Sequence, residues 1–188
     1  MSSKTEKIAK STRLYRKIHK WLAVPMFLIM FLIGITGLLL GWKKQTGLLP
    51  STQKSLNLRA SAWVSVDAMQ QIATKFVKDS LKLPTEIDRI DVRPQKGVAK
   101  IVFAKHFTEL QTDCGSGKIL SVAQRNSDII EKIHDGSILD FLMNTKNDEV
   151  KLLYTTITSL SLILLSFSGF WLWYNPIRIR NQKKISTF

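Results

Sequence analysis

Two stretches of this sequence run uncharged for longer than the helices of a soluble fold usually do. Trp21 to Trp42, WLAVPMFLIMFLIGITGLLLGW, holds 22 residues between Lys20 and Lys43. As a helix rising 1.5 Å per residue it reaches ~33 Å, enough to cross a ~30 Å hydrocarbon layer. Leu152 to Tyr174, LLYTTITSLSLILLSFSGFWLWY, is likewise uncharged over 23 residues. Trp21 and Trp42 close the first stretch, and Trp171, Trp173 and Tyr174 close the second, the pattern of an interfacial aromatic belt. We expect two transmembrane helices. Pro25 falls in the first turn or two of its helix, where a missing N–H costs least. The first apolar run is long for a secretory signal, and Gly41-Trp42-Lys43-Lys44 is a poor cleavage site, so an uncleaved signal anchor is expected.

The flanking charges set the expected orientation. Residues 1–20 carry seven basic residues against Glu6 alone, and the stretch after Tyr174 carries Arg178, Arg180, Lys183 and Lys184 with no acid. The other two flanks are weaker in charge. Both termini should therefore be cytoplasmic and the middle extracytoplasmic, periplasmic in a bacterial inner membrane. The formal charge of +14 then divides into +6 on the first arm, +4 on the last and +4 on residues 43–151. Ten of the fourteen charges sit in short juxtamembrane arms, where they suit anionic lipid and topology rather than nucleic acid. A single cysteine excludes an intramolecular disulfide framework and any Cys-rich metal or iron–sulfur site.

The middle reads as a small α+β module. Turn formers Gly47, Pro50 and Ser51 mark a linker over residues 45–62. Val66, Met69, Ile72, Ala73 and Phe76 recur at three- and four-residue steps, predicting an amphipathic helix over 65–79 with Ser65 as N-cap. Alternating runs at Ile87–Val92, Val98–Ala104, Phe107–Thr112 and Ile119–Gln124 predict strands. Gly97 and Asp113-Cys114-Gly115-Ser116-Gly117 read as hairpin turns. Ile138, Leu139, Phe141, Leu142 and Met143 predict a short helix lying on the outer membrane surface.

These pieces resemble the PepSY-associated transmembrane family. The segment LQTDCGSGKILSV looks like a PepSY-domain hairpin. RKIHKWLAVPMFLIMFLIGITGLLLGW is similar to the family's first helix through His19, Trp21, Leu22, Thr36 and Gly37. KIHDGSILDF resembles its "LHxG" segment and places His134 and Gly136 on that motif. SFSGFWLWYNP resembles its terminal "TGLxLW" stretch, with Ser168 in place of Thr, then Gly169, Trp171 and Trp173. The resemblance covers most of residues 13–180. It implies a membrane α+β protein with two transmembrane helices flanking a small extracytoplasmic PepSY-like domain of one helix plus an antiparallel sheet. The expected divisions are a basic arm at 1–20, spans at 21–42 and 152–174, a linker at 43–62, and the PepSY-like domain at 63–128. An interfacial segment with the HDG motif at 129–151 and a basic tail at 175–188 complete them.

The candidate site residues are histidines. By residue chemistry alone, His19 reads as an interfacial side chain among basic neighbours and His134 as a loop histidine. Neutral imidazole is also a good axial ligand for haem iron, and the resemblance implies that role, because larger family members look like haem-containing reductases of ferric siderophores. His19 and His134 are thus the expected ligands of haem b. They fall on opposite sides of the apolar layer, whereas two axial ligands of one iron lie within ~4–5 Å of each other. One haem cannot take both from one chain. A homodimer, or a pairing with a larger membrane redox protein, is expected, since four helices are the usual minimum for a cofactor inside a bundle. Gly37-x-x-x-Gly41 and Thr155, Ser159, Ser166 and Gly169 offer small faces for such packing. His106, between two strands and outside every motif, is expected at the surface.

Cys114 is expected to be an exposed lone thiol. Asp113 and Asp135 are expected to serve turns, with Asp135 also placed to orient His134. No dinucleotide fingerprint, P-loop, HExxH or Ser/His/Asp pattern occurs, so no flavin or nicotinamide site is expected in this chain. Two functions follow. The first is a haem-binding electron-transfer subunit in reductive iron or siderophore metabolism. The second is a non-enzymatic, membrane-anchored PepSY module that binds or regulates a peptide, a protease or a membrane complex.

Overall fold

The computed structural model describes residues 3–55, 63–145 and 147–185. The chain divides into two units: a helical unit of Met1–Gly37 with Lys132–Phe188, and a sheet unit of Leu38–Glu131. Among the described residues, five α-helices and four strands occur in the order α1 (Ser3–Gly41), α2 (Val66–Phe76), β1 (Ile87–Arg93), β2 (Val98–Phe103), β3 (Thr108–Asp113), β4 (Ile119–Gln124), α3 (Asn126–Asp135), α4 (Ser137–Met143) and α5 (Glu149–Ile185).

The helical unit is built inside out. Its large apolar side chains point away from the protein: Trp21 and Leu28 are each 72% exposed and Trp173 is 65% exposed. A continuous apolar surface of that kind is not sustained in water. The buried positions, Ile8 apart, are instead small and polar. Thr158, Ser161, Ser168 and Asn175 on α5 follow one another at three- or seven-residue steps and are all buried, as are Thr5, Ile8, Thr12 and Thr36 on α1. Lipid is as apolar as leucine, so small polar residues that bond across or within helices make the seam. The side chains that join the two helices are few and specific. Tyr15 stacks on Trp171 with ring centroids 6.1 Å apart, and the Thr5 hydroxyl donates to Gln182 at 3.4 Å. Both helices are long and apolar enough to cross a membrane, and this is a membrane protein. The small face on α5 differs from the one expected: Thr155, Ser159 and Ser166 are exposed, whereas Thr158, Ser161 and Ser168 are buried, and Ser168 meets His19 of α1.

Both helices run beyond their apolar stretches, because the basic arms have good helix formers and continue the same ladder. Pro176 stands inside α5. At the other end, Asp140 caps α5 by accepting from the backbone N–H groups of Val150 at 3.1 Å and Lys151 at 2.7 Å.

In the sheet unit the four strands form an antiparallel meander in the order β1-β2-β3-β4. Alternation assigns each face. Ile101 pairs with Ile90 on β1 and Leu110 on β3, and with Ala99, Phe103 and Cys114 these face α2, which contributes Met69, Ala73 and the following Val77. Ser65 caps α2 as expected by accepting from Ala68 N–H at 3.1 Å. The helix then widens into a π-type turn over Val77–Leu81 and ends at Lys82 in the left-handed region.

The opposite sheet face is polar yet buried. Glu109 meets Lys100 at 3.2 Å and also pairs with Arg125. Arg125 Nε donates to Asp128 at 2.9 Å, and Arg89 reaches the same carboxylate at 2.5 Å. Gln111 Nε2 donates to Glu109 at 2.7 Å and to the Ser51 carbonyl at 2.9 Å, and its carbonyl oxygen accepts from Gln53 N–H at 2.8 Å. The expected linker is thus partly a strap: residues 51–55 lie along β3, while residues 56–62 fall outside the described residues.

Cys114 corrects an expectation. It lies next to Gly115 in the β3–β4 turn but is 0% exposed. Its N–H donates to Gly97 O at 2.9 Å and its carbonyl accepts from Val64 N–H at 2.8 Å. The turn folds its cysteine into the core, and the buried Asp113 beside it gathers Gly115 N–H, Ser116 N–H and the Ser116 hydroxyl on Oδ1. Burial, with the Asp113 charge, pushes the thiol above its ordinary pKa. We predict that a maleimide reagent labels Cys114 in native full-length protein at least tenfold more slowly than in denaturant; equal rates would contradict its burial.

The ion network makes a second prediction. Burial pushes the Asp128 pKa up, but its bonds and charge pairing with Arg125 and Arg89 outweigh this and leave it below 3.8. A folded pKa below the unfolded one contributes stability above about pH 4 that is lost as pH falls further. Amide-exchange protection of β2 and β3 in the full-length protein should therefore fall below pH 4. Asp128→Asn should cost ~1–3 kcal/mol at neutral pH, because it takes one of two carboxylates from the largely buried Arg125 and leaves Glu109 as its partner, and should flatten that acid limb.

Candidate functional site

A hydroxyl in a lipid-facing helix has no water to take its proton. It therefore donates to a carbonyl of the preceding turn. Thr36 Oγ1 does this to Leu32 O at 2.7 Å, and Ser168 Oγ to Leu164 O at 2.7 Å. Each hydroxyl oxygen retains only lone pairs for other groups. Each meets a histidine: His134 Nδ1 lies 2.9 Å from Thr36 Oγ1, and His19 Nδ1 lies 2.9 Å from Ser168 Oγ. With each hydroxyl proton given to its carbonyl, a neutral imidazole donates from Nδ1. Nε2 is left with its lone pair, and among the described residues no hydrogen-bond partner meets it in either ring.

The residue after each hydroxyl completes the arrangement. A Cβ placed on Gly37 would lie 3.3 Å from His134 Cε1, and one on Gly169 would lie 3.6 Å from His19 Cε1. Each imidazole thus rests directly on helix backbone. The membrane unit holds this motif twice: a histidine from one element, with a Ser/Thr-Gly pair on the helix opposite. His19 and Thr36 are 17 residues apart on α1, or ~26 Å along the axis. No single ion can bridge the two imidazoles.

The two sites differ in their surroundings. His19 lines an open groove of about 370 Å³ with Ala23, Met26, Phe27, Met30, Phe31 and Leu165. It is an apolar trough with one imidazole in its lining. His134 ends α3, immediately before a sharp turn into α4. Gly136 makes that turn at φ +81°, and a Cβ there would stand 2.4 Å from Tyr154 Cδ1, so only glycine lets the turn lie on the Tyr154 ring. Asp135 bonds the Ser137 N–H and hydroxyl and pairs with Lys151 at 3.0 Å. Burial pushes its pKa up, and these bonds with the Lys151 charge bring it below the ordinary carboxylate value. Its turn role is as expected. The group that orients His134 is Thr36, not Asp135.

His106 provides a contrast. Its Nε2 lies 3.0 Å from the Pro84 carbonyl, which can only accept, so Nε2 carries the proton; Nδ1 then accepts from the Thr108 hydroxyl at 2.7 Å. The ring stacks on Phe103 with centroids 5.4 Å apart. Both nitrogens are spent on structure, and His106 is half-buried rather than on the surface. Among the described residues no cluster of three or more His, Cys, Asp and Glu side chains could hold a metal ion. The roles of Thr36 and Ser168 as imidazole partners were not read from the sequence. The signal was present, as a Ser/Thr-Gly pair inside each apolar run.

The profile of the PepSY-associated TM region matches residues 16–188. A search of curated proteins and a search of solved structures each gave no match.

The glycines carry a graded prediction, read as unfolding free energy of the full-length protein in a mixed-micelle titration. Gly37→Ala crowds the His134 ring and should cost ~1–3 kcal/mol. Gly136→Ala should cost more, having both a clash and a positive φ. Gly34→Ala meets open space and should be neutral or slightly stabilising. Equal effects at all three positions would contradict the ring-on-backbone geometry.

Proposed function

From a chain that belongs to the PepSY-associated transmembrane family, we propose an electron-transfer subunit that holds b-type haem through Nε2 of His19 and Nε2 of His134. The observation that carries this reading is the duplicated tautomer lock, which leaves one bare imidazole nitrogen on each of two sites ~26 Å apart along α1. A hydrogen bond at the far ring nitrogen is how axial histidines are usually oriented and made better donors. The donor set fits the group: neutral nitrogen ligands, glycine cradles under each ring and, beside His19, an apolar groove lined by methionine and phenylalanine. When bound, a haem iron supplies one-electron redox chemistry. The chain's own residues supply ligation, ring orientation through Thr36 and Ser168, and an apolar wall that excludes water.

Each site offers one histidine, so a second copy of this chain, or a larger membrane redox protein, supplies the remaining ligand. The charge of the basic arms supports a reading in which both termini are cytoplasmic and the middle of the chain is extracytoplasmic, in a bacterial inner membrane. Ligands near both faces suit electron movement across the bilayer, and reductive iron or siderophore metabolism is the use we assign. Electrons enter and leave through partners, since the chain has no flavin or nicotinamide fingerprint.

The test is the visible absorption spectrum of protein purified from haem-replete cells. We expect a Soret band and a reduced α-band of bis-histidine type. His19→Ala and His134→Ala should each remove about half of the haem, and Ser168→Ala and Thr36→Val should weaken its retention. A folded but colourless preparation would sink the proposal and favour the second reading, a membrane-anchored module whose sheet unit, with its own core, binds a peptide or protein partner.

A further inference from the structure

At the end of the helical unit that carries the chain termini, a groove of about 660 Å³ opens between α1 and α5, lined by Ala9, Thr12, Arg13, Arg16, Pro176, Ile179 and Arg180. Three guanidinium groups converge on it, two from one helix and one from the other. None of the three forms an ion pair among the described residues. The choice of cation is selective. The first twenty residues hold five lysines and two arginines, and both arginines line the groove while no lysine does. On α5, Arg178 lies over the Tyr174 ring at 5.8 Å and is thereby engaged, whereas Arg180 joins the groove. A field that only set topology would use Lys and Arg alike, and would not select the planar fork that grips phosphate.

The floor of the groove is apolar. Ala9, Pro176 and Ile179 give apolar walls, and the Thr12 hydroxyl is spent on Ile8 O at 2.8 Å. Ala9 and Arg16 continue at seven-residue steps into Ala23 and Met30 of the apolar groove beside His19. One face of α1 thus passes from guanidinium-lined to fully apolar where the uncharged span begins. A ligand suited to that face has an anionic head and long apolar tails. Stacking of Tyr15 on Trp171 and the Thr5–Gln182 bond hold the helices together on either side of the groove.

We propose that this groove is a binding site for one anionic phospholipid, its phosphate held by Arg13, Arg16 and Arg180 and its acyl chains lying along the apolar spans. Anionic lipid would then be a bound component of the membrane unit and not only a diffuse counter-charge.

Native mass spectrometry of the full-length protein in detergent, titrated with dioleoylphosphatidylglycerol or dioleoylphosphatidylcholine, tests this. We expect one tightly held phosphatidylglycerol and at least tenfold weaker phosphatidylcholine. The variant R13Q/R16Q/R180Q should lose at least tenfold in affinity for phosphatidylglycerol. K7Q/K10Q/K17Q, which removes the same charge outside the groove, should lose less than threefold. Equal losses in the two triple variants would overturn the site in favour of a diffuse field. Displacement of the lipid by millimolar inorganic phosphate would overturn it in favour of a soluble anion. Loss of haem from R13Q/R16Q/R180Q with lipid affinity unchanged would also overturn it, assigning the arginines to the cofactor's carboxylates. Should the arginine triple variant fail to fold, R180Q alone leaves the first arm's charge intact. We expect it to lose threefold or more, and an unchanged affinity would overturn the site.

Discussion

A helix hydroxyl with no water beside it finds an acceptor for its proton in the carbonyl one turn back. In the membrane unit this constraint decides the chemistry available at both histidines. Thr36 and Ser168 each give their proton to a carbonyl one turn back and can then only accept. The imidazole facing each one must donate from Nδ1. A free lone pair on Nε2 follows in both rings. The glycine after each hydroxyl brings the ring onto the backbone, so its position as well as its tautomer is fixed. His106, bonded to a carbonyl through Nε2, has the opposite proton arrangement and no nitrogen to spare.

The same accounting shapes the rest of the chain. In the helical unit lipid offers nothing to polar groups, so threonine, serine and asparagine are buried at the seam while tryptophan and leucine face outward. In the sheet unit water reverses the preference on one sheet face, where α2 covers Ile101, Phe103 and Leu110. The other face buries Lys100, Glu109, Gln111 and Asp128 only because each carboxylate has a cation and Gln111 has backbone partners in the strap. Such a network stabilises little against apolar replacement, yet breaking it exposes a buried charge.

Much of this was legible in the sequence, for local reasons. Uncharged runs of 22 and 23 residues admit few folds other than spans. The strands β1 to β4 are readable from alternation and from glycine at the turns, and Ser65 announces α2. What escaped were consequences of tertiary placement. Cys114 sits among turn formers, and nothing local says that the turn would fold its thiol into the core. Nor does the sequence show which small residues of α5 are buried: Ser159 and Ser161 look alike, and only tertiary packing separates them. His134 was legible as a candidate, but its partner Thr36 lies 98 residues away. That pairing depends on how the chain returns to its first helix.

The central claim is that two membrane hydroxyls fix the proton of two imidazoles, and nitrogen NMR of the protein with ¹⁵N-labelled histidine tests it most directly. In haem-free protein in lipid at neutral pH, with resonances assigned by removing one histidine at a time, His19 and His134 should each show a protonated Nδ1 and a bare Nε2. His106 should show the reverse. A proton on Nε2 of His19 and His134 would contradict the account, because neither ring could then offer that nitrogen to an iron.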